Sequence, residues 1–246
     1  MAPARIATTL GATLLLLPIA HAAEFDRHQQ AKVTELTGPV PEVVKPLPVP
    51  SDAIVLLGKD DTSAWQHADG SAINWTFEDG IMTVKPGSGD IFSRARFGDI
   101  QLHLEWRTPD KVVGDSQGRG NSGVFLMRRY EVQILDSWDN PTYPNGQAAS
   151  VYKQHIPLVN ASLPPGTWQT YDIIFRAPRF NYSGRLTSPA TVTVLHNGVL
   201  VQDHVTLAGP TMYVGAPNYS PHGADVIRLQ DHGNPVSYRN IWVRGL

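Results

Sequence analysis

Gln101-Leu102-His103-Leu104-Glu105-Trp106-Arg107 alternates without a fault. In an extended chain successive side chains point to opposite faces, so Leu102, Leu104 and Trp106 share one face and His103, Glu105 and Arg107 the other. The pattern recurs on either side of this stretch. Tyr130–Leu135 sets Val132 and Ile134 against Glu131 and Gln133, and Ile227-Arg228-Leu229-Gln230-Asp231-His232 sets its apolar residues against Arg228, Gln230 and His232. Thr191–Leu195 runs through His196-Asn197-Gly198 into Val199-Leu200-Val201, and Asn-Gly between two strand-like runs marks a tight hairpin. No window of similar length carries a helical stripe. Short alternating runs separated by Gly and Pro predict an all-β chain, a sandwich or jelly roll with one face of each sheet buried.

The amino terminus reads differently. Arg5, the apolar run Ile6–Ile19 and the small-residue site Ala20-His21-Ala22 have the order of a secretory signal peptide, with cleavage expected after Ala22. The run is shorter than the ~20 residues that a membrane span needs. Residues 1–22 are therefore expected to be a leader, and the protein to be exported to the periplasm or the extracellular space. Residues 23–50 form a polar, proline-rich arm or linker, because the prolines of Gly38-Pro39-Val40-Pro41 and Lys45-Pro46-Leu47-Pro48-Val49-Pro50 fix φ and remove amide donors. Residues 51–246 are then a single domain, with no second apolar stretch long enough to span a bilayer. Cysteine is absent, so no disulfide or lipid-modified cysteine contributes. The formal net charge is −2, or −3 once Arg5 leaves with the leader, which argues against a nucleic-acid partner.

The polar faces of the three alternating runs carry Glu, His, Gln and Arg where Thr, Ser and Lys would be ordinary. Carboxylate, imidazole, amide and guanidinium groups together suit a polyol ligand. Trp65, Trp75, Trp138 and Tyr152 are candidate aromatic faces for a sugar, whereas Trp106, Trp168 and Trp242 are expected in packing. A solvated outer sheet with incidental ion pairs is the plainer alternative: Glu131 would then pair with Arg128 or Arg129, Glu105 with Arg107, and His232 would cap a turn.

Asn121-Ser122-Gly123-Val124-Phe125-Leu126 followed by Tyr130-Glu131-Val132-Gln133-Ile134-Leu135-Asp136-Ser137 carries a resemblance. Further pieces follow in the same order: Leu57-Gly58-Lys59-Asp60 with Trp65, Trp75–Gly80, Phe97–Leu102 with Glu105-Trp106-Arg107, and Pro165–Tyr171. His196-Asn197-Gly198-Val199, Leu229–Gly233 and Tyr238–Ile241 complete the set. Taken together they cover nearly all of 51–246, and the chain resembles the 3-keto-disaccharide hydrolase family. One departure, Leu57 where an Asn-Gly-Lys turn is usual, touches a turn only. The resemblance implies a concanavalin/laminin-G-like β-sandwich (jelly roll) and cleavage of carbohydrate glycosides oxidised to a ketone at C3.

Such a ketone acidifies the C2 proton. A base removes it, the enolate expels the C1 substituent, and water can add back, by hydrolysis or by elimination alone. The roles implied are a general base at C2, for which Glu131 and Glu105 are the candidates, and His232 to polarise the ketone or act as acid. Gln133, Asn121, Lys153, Gln230 and Arg228 would hold sugar hydroxyls, with His155 beside Lys153 on a loop at the substrate. The residues establish no cofactor; a divalent metal ion between converging Glu and His side chains is left open, unsupported by any His-x-His or His-Glu-x-x-His spacing. Two other functions fit the same fold. A retaining glucanase would want Glu-x-Asp-x-x-Glu on one strand, where this chain has Glu131-x-Gln133-x-x-Asp136 and so lacks the central charge. A lectin-like module would bind glycans on a sandwich face without turnover.

Overall fold

In the computed structural model the described residues are Leu36, Gly38, Pro39, Pro41, Glu42, Val44, Lys45 and 49–246. The leader expected over 1–22 and most of the arm lie outside them. The strands are β1 (Ile54–Leu57), β2 (Trp65–Gln66), β3 (Thr76–Glu78), β4 (Ile81–Thr83), β5 (Ile91–Phe97), β6 (Ile100–Arg107), β7 (Ser122–Leu126) and β8 (Tyr130–Ile134). They continue with β9 (Gln169–Arg176), β10 (Arg179–Phe180), β11 (Leu186–Ser188), β12 (Thr191–His196), β13 (Val199–Thr206), β14 (Asp225–Leu229) and β15 (Ser237–Gly245). Among the described residues there is no α-helix, only 3₁₀ turns at Ser116–Gly118 and Pro144–Gly146. None is long and apolar enough to cross a membrane.

Two antiparallel sheets face one another across the core. The larger has the order β13-β12-β9-β6-β15-β4-β3, with β1 also on β15; the smaller is β2-β5-β14-β7-β8, and β10 and β11 form a separate ribbon. Neighbours distant in sequence lie side by side, as in a jelly roll, and the all-β sandwich read from the sequence is the fold. β6 lies in the interior of the large sheet and keeps its period of two: Leu102, Leu104 and Trp106 are fully buried, while His103, Glu105 and Arg107 are partly exposed. Opposite them, Val124, Leu126, Val132, Ile134, Ile227 and Leu229 line the inner face of the small sheet. The Asn197-Gly198 hairpin forms as expected, with both residues at positive φ (52° and 76°), the geometry that matches strand twist in a two-residue turn.

Polar atoms pin the layers to each other. The Tyr171 hydroxyl donates to the Gln133 carbonyl at 2.7 Å. Ser122 Oγ donates to the Gln230 carbonyl at 2.6 Å, so the Tyr238 hydroxyl, also 2.6 Å away, donates to Ser122. These bonds fix β7 and β8 against β9 and β15 at the positions that matter for the site. One strand departs from simple alternation. β15 has a register shift between Arg239 and Trp242, with Asn240 at φ 47°, so Ile241 and Val243 are fully buried while Arg239 is half-exposed.

Leu104 sits where the two layers meet, so Leu104→Ala is expected to lower unfolding stability by about 2–5 kcal/mol. Glu105→Ala, one position on but facing outward, should cost no more than about 1 kcal/mol. Chemical denaturation of both variants measures the contrast.

Candidate active site

The register of the small sheet places side chains from distant parts of the chain in rows on its outer face. Gln66 pairs with Phe92, Phe92 with Arg228, Arg228 with Phe125, and Phe125 with Glu131. The row continues past β8, because Val132 bridges Val151 and the Tyr152 amide donates to the Glu131 carbonyl at 3.2 Å. The next row on the same face holds Gln230, Gly123 and Gln133, the Gln230 amide donating to the Gly123 carbonyl at 3.0 Å. Over these rows lies a cleft of about 260 Å³ lined by Asn121, Phe125, Glu131, Gln133, Tyr152, Thr211, Tyr213, Gln230 and His232.

This outer face is drier than the sequence implies. All five residues of β8 are buried, Glu131 being 5% and Gln133 1% exposed. The segment 143–152 folds back along β8, and the loop after β13 closes over it: Thr211 accepts from the Glu131 amide at 3.0 Å. Space for the carboxyl comes from Gly123. A Cβ there would lie 2.6 Å from Glu131 Oε1 and 2.9 Å from Phe125 Cε2, so the missing side chain is the room that the carboxyl occupies.

Burial dominates the acid–base character of Glu131 and pushes its pKa up to about 8. The positive charge of Arg228 draws it down, and Asp90 pushes it up. The nearby cations are committed elsewhere: Arg228 lies over the Phe125 ring at 3.4 Å and pairs with Asp90 at 3.3 Å, and Arg129 pairs with Asp225. With its nitrogen turned inward, the Gln133 amide donates to the Ser122 carbonyl at 3.0 Å and to Glu131 Oε1 at 3.2 Å. Two further buried polar atoms, Arg228 Nε and Gln230 Oε1, have no partner among the described residues.

The predicted site residues divide into two sets. Glu131, Gln133, Asn121, Gln230 and His232 meet in the cleft, Asn121 held by its side-chain donation to the Gln117 carbonyl at 2.6 Å and its amide donation to Asn234 Oδ1 at 2.8 Å. Arg228 stands behind Phe125, and Lys153 beside the cleft with its Nζ 4.0, 5.8 and 5.5 Å from the rings of Tyr143, Tyr152 and Tyr213. Glu105 does not belong with them. It projects from the other sheet, where Arg239 donates to it at 2.6 Å and Asn240 at 2.9 Å. Burial raises its pKa, yet these two hydrogen bonds and the Arg239 charge leave it lowered. Period two placed Glu105 on a polar face, but a sandwich has two outer faces, and the sequence does not say which strands share one.

His155 also does not line the cleft: its Nε2 lies 2.7 Å from the Thr206 carbonyl, and its backbone bridges Val151. Of the aromatic candidates only Tyr152 lines the cleft. Trp65 and Trp75 are buried, their indole N–H groups donating to the carbonyls of Leu56 and Gly89, and Trp138 stands outside, its carbonyl accepting from Arg119. Thr211, Tyr213, Phe125 and Gly123 were not singled out from sequence as site residues. The first two come from an irregular loop with no period to read, and the last two look like ordinary strand residues.

Asp136, the last carboxylate of the glucanase-like spacing, turns away and is bound by Arg119 Nε at 2.7 Å. Glu131 is therefore the one carboxylate lining the cleft among the described residues. No cluster of three or more His, Asp or Glu side chains able to hold a metal ion is found among them. A cation in the cleft would have Glu131 and His232 with amide oxygens as its ligands among the described residues.

Residues 52–244 match the 3-keto-alpha-glucoside-1,2-lyase-like domain. The chain belongs to this family. The family match spans β1 through nearly all of β15 and so includes every residue of the cleft. A protein of Bacteroides thetaiotaomicron named 3-keto-disaccharide hydrolase is 25% identical, over 81% of each chain. A crystal structure from Parabacteroides distasonis, described as a glycosyl hydrolase, superposes with a TM-score of 0.84 at 48% identity, covering 87% of this chain and 96% of that one. A second Parabacteroides distasonis structure, at 18% identity and a TM-score of 0.58, shares the fold. Family and relatives place the chain among glycoside-hydrolase-like proteins of carbohydrate metabolism.

Glu131 ties stability to pH. With a folded pKa of about 8 against 4.5 when unconstrained, the native state holds a proton that the unfolded chain has already released between those values. Stability therefore falls as pH rises from about 4.5 and levels off above about 8. Glu131→Gln removes that penalty, so its stability advantage over wild type should grow with pH to the order of a few kcal/mol. Thermal melts of both proteins at pH 5, 7 and 9 give the comparison, and a gap independent of pH would contradict it.

Proposed function

We propose that this protein cleaves 3-keto-glycosides by β-elimination across C1–C2, with Glu131 as the general base, and that water addition completes a net hydrolysis. What carries the proposal is a single buried carboxyl of raised pKa, with no second carboxylate lining the cleft among the described residues, amid amides suited to sugar hydroxyls. Ordinary glycosidases need two carboxylates across the bond. Removing a proton next to a ketone needs one base and a group for the enolate oxygen.

In the reaction Glu131 takes the C2 proton and the C2–H electrons form the enolate with C3. Collapse of the enolate restores the ketone, forms C1=C2 and breaks the C1–O bond, the electron pair leaving on the glycosidic oxygen. His232 at the cleft mouth donates the proton to that oxygen. Water adding across C1=C2 returns a proton to C2 and leaves the free 3-keto sugar. Asn121, Gln133 and Gln230 hold the hydroxyls, with Phe125 against the apolar side of the ring. The unpartnered Gln230 Oε1 is an acceptor for one of them.

The signal-like segment Arg5 to Ala22 supports export, with the substrate met outside the cytoplasm. Mass spectrometry of the protein from its natural host would then show a chain beginning at Ala23.

Purified protein mixed with a 3-keto-β-glucoside should release the aglycone, while the unoxidised glucoside stays intact, with EDTA present or absent. In the free enzyme the active form of Glu131 is the carboxylate, so kcat/KM should rise with pH through about 8. Glu131→Gln should lower turnover by about 10²–10⁴-fold and Glu105→Gln should not change it. Equal cleavage of the unoxidised glucoside, or full turnover by Glu131→Gln, would sink the reading. Binding without cleavage of either sugar would favour a lectin-like module.

A further inference from the structure

The cleft contains a second acid that the family resemblance did not indicate as catalytic. Tyr152 is next to Glu131 in the row across the sheet, its amide bonded to the Glu131 carbonyl, so the two side chains rise side by side from one face. Its hydroxyl is 2.6 Å from that of Tyr143, which does not line the cleft. The Lys153 ammonium stands 4.0 Å from the centre of the Tyr143 ring. Lys153 has a left-handed backbone (φ 64°), and its amide donates to the Asn145 carbonyl at 2.9 Å, a turn that holds it close to Tyr143.

A hydroxyl pair at this distance shares one hydrogen between the two oxygens and leaves the other free to point away. A cation against the ring of Tyr143 makes that phenol the better donor. Tyr143 then donates to Tyr152, and the Tyr152 hydrogen is free to point into the cleft. Hydrogen bonds in a chain of this kind polarise one another in the donating direction. Glu131 and Tyr152 are neighbours across the sheet and both line the cleft. The C2 proton and the C3 oxygen are on adjacent carbons, so the base and the donor to the oxyanion must be neighbours.

Building on the reaction proposed above, we propose that Tyr152 is a catalytic residue, donating a hydrogen bond to the C3 oxygen as it becomes an enolate. Tyr143 and Lys153 are positioning residues that orient and polarise it. No covalent bond is made to Tyr152: the proton from C2 goes to Glu131, the electron pair moves onto the C3 oxygen, and the Tyr152 hydrogen bond shortens as that charge grows. His232 keeps the separate task of protonating the leaving oxygen.

The test uses a substrate that can enolise but has no glycosidic leaving group, 3-keto-1,5-anhydroglucitol in D₂O, with exchange of the C2 hydrogen followed by proton NMR. The wild-type protein should catalyse exchange. Tyr152→Phe, which keeps the ring, should slow it by about 10²–10³-fold, the loss typical of one oxyanion donor. Tyr143→Phe should slow it about tenfold while the KM for a cleavable 3-keto-glucoside stays within about twofold, a split that a merely structural defect would not give. Tyr152→Phe exchanging within twofold of wild type, in a preparation where Glu131→Gln has lost exchange, would overturn the role of Tyr152 alone. Exchange that persists in Glu131→Gln as well would overturn the enolisation reading beneath it.

Discussion

A carboxyl group kept from water must be housed, and the housing of Glu131 organises this side of the molecule. Three parts of the chain cooperate. Gly123 withholds a side chain from the spot that the carboxyl fills, with a hypothetical Cβ at 2.6 Å from Oε1. Residues 149–152 pair along the free side of β8, and Thr211 accepts from the Glu131 amide. Burial of this kind is unfavourable to the ionised acid, so the rest of the sandwich must hold the strands fixed. The interlayer bonds do so at the right places: Tyr171 grips the carbonyl of Gln133, and Tyr238 grips Ser122, each on the strands that carry the cleft floor. The core is thus the reason that a reactive group can sit where it is unhappy when charged.

The same frame explains why the amide residues are so numerous here. Gln117, Gln133, Asn121 and Gln230 bring donors and acceptors without bringing charge, so they can crowd a buried carboxyl without settling its ionisation. A lysine or arginine in direct contact would hold Glu131 ionised. The nearest guanidinium, Arg228, is instead turned flat over Phe125 and paired with Asp90. Its influence reaches the site through space, as a moderating field.

Much of this was legible in the residues. The alternation of Leu102, Leu104 and Trp106 gave the inward face of β6 because burial has the same period as the pleat. Asn197-Gly198 gave a hairpin because few residues tolerate two positive φ angles in succession. Glu131 and Gln133 on β8 share the cleft with Gln230 and His232, which continue the period of two past the end of β14. Glu105 was equally conspicuous, yet it faces away on the other sheet, since parity along one strand cannot tell which sheet the strand joins. Trp65 and Trp75 misled for a related reason: an aromatic ring with one N–H is as content in a core, given a carbonyl, as against a sugar. Thr211 and Tyr213 reach the cleft by a loop whose path is set by tertiary contacts alone.

β8 is the last strand of its sheet, and a sheet's last strand presents unpaired amides and carbonyls to any other chain that can match them. Here that border is occupied. The Gln133 amide donates to the Ser150 carbonyl, the Ala149 and Tyr152 amides donate to the carbonyls of Gln133 and Glu131, and His155 folds the segment back upon Val151. The stretch that walls the cleft is therefore also a seam against self-association. A chain that lost its grip there would expose an adhesive margin along with a broken site, so solubility and chemistry in this protein are guarded by the same few residues.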